Sequence, residues 1–227
     1  RAQAVDITSR QLHDRALAQS SDPYALSLKT DVPGKILSLN VGVSQIHFGV
    51  YDTHDDRNDV HGIIDNSDGE TARITLMAGG KKTVRQRPAF PLEDFLKIVF
   101  ESMQSLEDAY LFTPFEVVAV GHRVVHGGAK FSSAAVITPQ VISEIEALSG
   151  FAPLHNPHNL VGIRQAMKFF PTAPHVAVFD TAFHQTIPRV NFLYPVPYSW
   201  YTKYGVRRYG FHGTSHLYVA KQCPFEQ

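Results

Sequence analysis

Four short segments of this chain hold residue types that could bind or transfer an anion. Val120-Gly121-His122-Arg123-Val124-Val125-His126-Gly127-Gly128 places an arginine just past an apolar run, followed by glycines that allow close backbone approach. A guanidinium there can grip a carboxylate or phosphate through two parallel hydrogen bonds, and it can equally serve a structural ion pair. Val176-Ala177-Val178-Phe179-Asp180-Thr181-Ala182-Phe183-His184 ends a second apolar run in a carboxylate, at the place where open α/β sheets bind ligands. A turn or N-cap aspartate would look the same. Arg208-Tyr209-Gly210-Phe211-His212-Gly213-Thr214-Ser215-His216 sets a histidine just before a Thr/Ser helix start, where backbone N–H groups and an imidazole can meet the oxygens of a transferring phosphoryl group. Ordinary tight turns share that composition. Ala152-Pro153-Leu154-His155-Asn156-Pro157-His158-Asn159 reads, taken alone, as a rigid connector with a helix cap.

The elements that must position these residues follow from periodicity. Residues 1–34 are polar and breaker-rich, with a short helix expected around Ser9 to Gln19, and read as an arm. Ile36 to Leu39 and Ile46 to Tyr51 predict a β-hairpin around the turn Asn40 to Gln45, and Thr71 to Met77 predicts a strand ended by Gly79-Gly80. Apolar spacing predicts an amphipathic helix from Pro91 to Tyr110. Glu116 to Val120 and His175 to Phe179 read as buried strands, with helices over Pro139 to Leu148 and Asn159 to Phe170 between them. Strands alternating with helices imply an α/β architecture.

Composition narrows the function classes. Lys plus Arg and Asp plus Glu number 21 each, so no global field recruits nucleic acid or an anionic membrane. No apolar run reaches the roughly 20 residues of a membrane span. The single cysteine, Cys223, excludes an internal disulfide framework and suits a cytoplasmic setting. Twelve histidines include His122/His126 and His212/His216 at i, i+4, but both pairs lie among turn glycines and lack the helical His-Glu-x-x-His arrangement, which disfavours zinc.

Together, in order and spacing, the four segments resemble the acetate kinase family, which includes propionate kinases, from about Lys35 to about Ala220. The resemblance implies an actin-like ATPase (ribonuclease H-like) α/β fold, with a first lobe over 35–184 and a truncated second lobe beginning at 185–227. It implies phosphoryl transfer from ATP, with Mg2+, to acetate or propionate. In that family Arg123 would hold the substrate carboxylate, and Val125, Leu154 and Phe211 would line the pocket for its alkyl chain. His212 would stabilise the phosphoryl oxygens, and Asp180 would be an essential acid organising cationic groups or metal-bound water. Asn40, Gly42, Ser44 and His47 fall on the phosphate-binding turn, with Asn40 also nearest the magnesium. Full-length relatives are homodimers.

That turn departs from the family pattern. Two of its serines are Val43 and Gln45, and its lysine is His47, which is mostly neutral near pH 7 at its ordinary pKa. The family's later catalytic arginine, adenosine-binding segments and C-terminal glutamate have no counterpart in these residues. Weak or absent turnover by this chain alone is therefore expected, from a truncated product or an isolated domain, and a non-catalytic carboxylate- or phosphate-binding domain is the alternative.

Overall fold

A computed structural model of the chain describes residues 34–53, 58–104, 106 and 113–222. The expected N-terminal arm, apart from Gly34, lies outside the described residues, as does Cys223.

The predicted hairpin forms from β1 (Lys35–Val41) and β2 (Gln45–Asp52), with Asn40 directly opposite His47. Leu37, Leu39 and Val41 are buried while Ser38 is exposed, the alternation of a strand covered on one face. The meander continues through β3 (Asn58–Asp65), β4 (Thr71–Ala78) and β5 (Lys81–Pro88), each antiparallel to the last. Gly79 and Gly80 join β4 to β5 with φ of 53° and 77°, the backbone a two-residue hairpin turn requires. Sequence periodicity missed β3 and β5. In β5 almost every side chain is solvent-facing, so no buried face imposes a pattern, and Lys81, Lys82, Arg85 and Arg87 blunt a strand at the sheet edge.

The other half of the sheet is parallel. β6 (Val117–Val124) lies beside β1, β8 (His175–Phe179) lies beside β6, and the short β7 (Ala135–Val136) closes the edge, giving the order β5-β4-β3-β2-β1-β6-β8-β7. β6 runs four residues beyond its expected end at Val120, because Gly121 to Val124 pair with Val176 to Phe179. Arg123 therefore sits inside a strand, not past one.

The amphipathic helix is shorter than expected. Leu92–Asp94 make a 3-10 turn, and α1 spans only Phe95–Met103. The apolar spacing continues to Leu106, which still packs against the same core, but its N–H bonds back to the Met103 carbonyl at 2.9 Å in a turn. Next come α2 (Pro139–Ala147), whose N-cap Thr138 accepts from the Val141 N–H, and α3 (Asn156–Phe169), which starts three residues earlier than predicted. Leu37, Leu39, Phe48 and Val50 pack with Phe95 and Val99 of α1 and Ala166 of α3 in the larger core. Val124, Phe179, Ile145, Leu160 and Ile163 form a second core behind the ends of β6 and β8. The chain continues through α4 (Arg189–Phe192), α5 (Ser199–Tyr204) and α6 (Gly213–Gln222). Among the described residues no helix is long and apolar enough to cross a membrane.

Candidate functional site

Three neighbouring parallel strands deliver one polar side chain each to the same end of the sheet. Asn40 and Arg123 are the next-to-last residues of β1 and β6, and Asp180 follows β8. Arg123 donates from Nε to Asp180 Oδ1 at 2.9 Å and from one terminal nitrogen to Oδ2 at 2.6 Å, while its other terminal nitrogen donates to Asn40 Oδ1 at 3.1 Å. The fork expected to seize a ligand thus already holds an internal carboxylate, and the structural ion pair left open by the sequence is real. It does not exhaust the arginine. A guanidinium has five N–H donors, and three are committed here. Asp180 is 1% exposed whereas Arg123 is 32% exposed, so the carboxylate is the buried anchor and the guanidinium is the group presented to solvent.

What it faces is a cavity of about 430 Å³ lined by Arg123, Val125, Leu154, Asp180, Phe211 and His212, with Phe151, Ala152, Pro153 and His155 completing the wall. The structure therefore brings six of the sequence-derived site residues together. Phe151 and His155 were missed: of the Pro-bracketed loop that carries His155, only Leu154 was assigned to the pocket, and that by resemblance. The wall is aromatic in depth. The buried His126 ring stacks on Phe151 at 5.3 Å and meets Tyr209 and Phe211 edge-on at 4.6 and 5.6 Å. Burial pushes its pKa down, and Nδ1 accepts the Gly128 N–H at 2.9 Å, so the ring is packing that backs the wall and not a surface of the cavity. A cation-bearing end and an apolar end in one cleft fit a small amphiphilic anion.

Two buried asparagines at the start of α3 hold the loop after β6 in place. Asn159 accepts the Val125 N–H at 3.1 Å and donates to the Val41 carbonyl at 2.8 Å, joining β1 to the pocket wall. Asn156 accepts from the His126 N–H and donates to its carbonyl, both at 3.1 Å. From the other side the Thr181 hydroxyl accepts the Gly127 N–H at 3.0 Å. A side chain on Gly127 would put Cβ 2.9 Å from the Phe179 ring, so this loop needs glycine to lie flat on β8.

His212 stands at the cavity mouth with its Nδ1 3.8 Å from Asp180 Oδ2 and its ring largely exposed. Its φ of 55° is uncommon for a residue with a side chain, and α6 begins at the next residue. Asn40 touches the site through Arg123, whereas Gly42, Ser44 and His47 lie in the adjoining β1–β2 hairpin. The Gly42 N–H bonds the Gln45 carbonyl at 2.9 Å, the Ser44 carbonyl accepts from Asn66, and the His47 side chain is exposed opposite Asn40. Among the described residues no group of three or more His, Cys, Asp or Glu is placed to hold a metal. Each Asp180 oxygen accepts one hydrogen bond from Arg123.

Open parallel strand ends, a buried acid–arginine pair and an apolar cleft place a candidate small-ligand site at the strand ends of an α/β protein. The family model described as the Acetokinase family matches residues 35–224, and the chain belongs to that family. An acetate kinase of Halothermothrix orenii is 45% identical over 194 residues, covering 83% of this chain and 48% of that protein. One of Thermotoga maritima is 43% identical over 189 residues. Among solved structures, a propionate kinase from Francisella tularensis superposes with a TM-score of 0.75 at 38% identity, and the acetate kinase of Porphyromonas gingivalis with 0.74 at 37%, each covering 83% of this chain and 48% of the neighbour. The chain spans about half the length of the curated relatives it matches. The fold is therefore that of the actin-like phosphotransferases, present here to about half the extent of those neighbours.

Proposed function

We propose that the cavity is the acceptor site of a carboxylate kinase, which binds acetate or propionate and presents its oxygen to the γ-phosphoryl group of ATP. The single observation that carries this reading is the amphiphilic cleft itself, with Arg123 at one end and Val125, Leu154 and Phe211 at the other. The uncommitted donors of Arg123 would take the substrate carboxylate, and the apolar wall would take its one- or two-carbon tail. In-line transfer brings two anions together and needs positive charge already in place. Arg123 supplies it, pinned by Asp180 so that little reorganisation is needed. His212, beside the same carboxylate, would meet the equatorial phosphoryl oxygens as charge builds on them. Magnesium would arrive as the Mg–ATP substrate, with Asn40 beside its path. Asn40, Gly42, Ser44 and His47 would border the phosphates.

Within this reading residues 35–184 serve as the first lobe, which holds the acceptor site, and 185–227 as the beginning of a truncated second lobe, in a cytoplasmic setting. Trapping with hydroxylamine tests it. Acyl hydroxamate formed from Mg–ATP and acetate, and lost in Asp180→Asn, would assign the chain the whole reaction. Acetate binding without hydroxamate would assign it the acceptor site alone. Failure to bind either acid would overturn the reading.

A further inference from the structure

His184, in the segment that carries Asp180, was given no role in the chemistry above. His184 follows β8 in a 3-10 turn spanning Phe183–Thr186, four residues after Asp180. Its Nε2 lies 2.8 Å from the Phe211 carbonyl oxygen. A carbonyl only accepts, so Nε2 carries the proton of this bond. The ring rests on Gly210, where an added Cβ would come within 2.4 to 2.6 Å of its atoms. It also meets Phe183 and His216 edge-on, each at 5.2 Å.

We propose that His184 is a positioning residue, which sets Phe211 and His212 over the cavity by donating a hydrogen bond to the Phe211 carbonyl. His212 occupies a left-handed backbone conformation, which persists only where its surroundings impose it. Two ties impose it here. The Gly213 N–H bonds the Asp180 carbonyl at 2.9 Å on one side of His212, and His184 holds the Phe211 carbonyl on the other. Both ties run to the segment that carries Asp180, so the acid, the phosphoryl-facing histidine and the aromatic wall are placed as one unit. Burial lowers the His184 pKa, against smaller opposing effects of the Phe211 bond and of Asp180, and the Nε2–H that makes the tie is present in either charge state of the ring.

The inference rests on the carboxylate-site reading for what His212 and Phe211 do, and its test separates the two. The whole chain, labelled with 15N-histidine, is compared with His184→Leu and His184→Gln, the second keeping a donor near the Nε2 position. Positioning requires His184→Leu to shift the His212 ring resonances and to weaken acetate binding about tenfold by calorimetry, with His184→Gln returning both close to wild type. Unmoved His212 resonances in His184→Leu, or a His184→Gln variant as impaired as the leucine, would overturn it. Gly210→Ala, which pushes the ring without removing it, gives the same readout should His184→Leu fail to fold. A wild-type chain that binds no acetate would sink the carboxylate reading, while the His212 resonances would still decide the role of His184.

Discussion

Arg123 and Asp180 share two hydrogen bonds but not their exposure, and the difference decides how each tolerates loss of the other. Arg123→Ala strands a carboxylate that is 1% exposed, and breaking a buried pair in this way costs about 3–5 kcal/mol. Asp180→Asn keeps an acceptor for a guanidinium that water can still reach, and should cost clearly less, about 1–2 kcal/mol. Urea unfolding of the two variants checks the order. Equal losses would mean that Asp180 is hydrated in solution and is not the anchor described here. The sequence showed both residues but not their pairing, because the partners are 57 positions apart and meet only through the β6–β8 register.

At the scale of elements, α3 and the β6–β8 pair hold the cleft. Asn159→Leu should lose about 2–4 kcal/mol in thermal or urea unfolding, since the Val125 N–H and the Val41 carbonyl both lose a buried partner. A loss under 1 kcal/mol would show the loop to be held elsewhere. Behind Arg123, the buried His122 Nε2 bonds His175 Nδ1 at 3.0 Å, and His175 Nε2 donates to the Phe170 carbonyl at 3.1 Å. Burial, aided by His175, pushes the His122 pKa from its ordinary 6.5 to about 3, and burial lowers that of His175 as well. A folded-state pKa below the unfolded one means that the unfolded chain binds the extra protons. The contribution is thus complete above pH 6.5 and drains away as pH falls toward 3. The urea midpoint should drop steadily between about pH 6.5 and 4.5, with a shallower slope in His122→Gln, which keeps a donor to His175 and removes one titrating ring. A midpoint independent of pH would contradict the neutral pair. Nothing in the sequence paired these two histidines: His122 was weighed with His126 as a metal pair and His175 read as the start of a strand, and only the parallel β6–β8 register brings them together.

Across the whole molecule, legibility follows from which elements have a buried face. β1, β2 and β4 were readable because they alternate against a core, β8 because it is a short apolar run buried on both faces, and α2 and α3 because of their helical apolar spacing; the four candidate segments were readable because glycine, arginine, aspartate and histidine stand out at strand ends and helix starts. β5 was invisible because it buries almost nothing, and α1 was overextended because Leu106 keeps the helical spacing in a turn. The apolar wall was only half legible. Val125, Leu154 and Phe211 came from resemblance, whereas the contribution of Phe151 and the buried His126 ring depends on how two loops meet over the cleft. The central claim is that this cleft takes a short-chain carboxylate through Arg123. Calorimetric titration of acetate and propionate into the chain, with Arg123→Lys in parallel, tests it most directly, because lysine keeps the charge and loses the fork. One site per chain, with affinity reduced at least about tenfold in Arg123→Lys, is the expected result. No heat with either acid, or equal affinity in the variant, would contradict it.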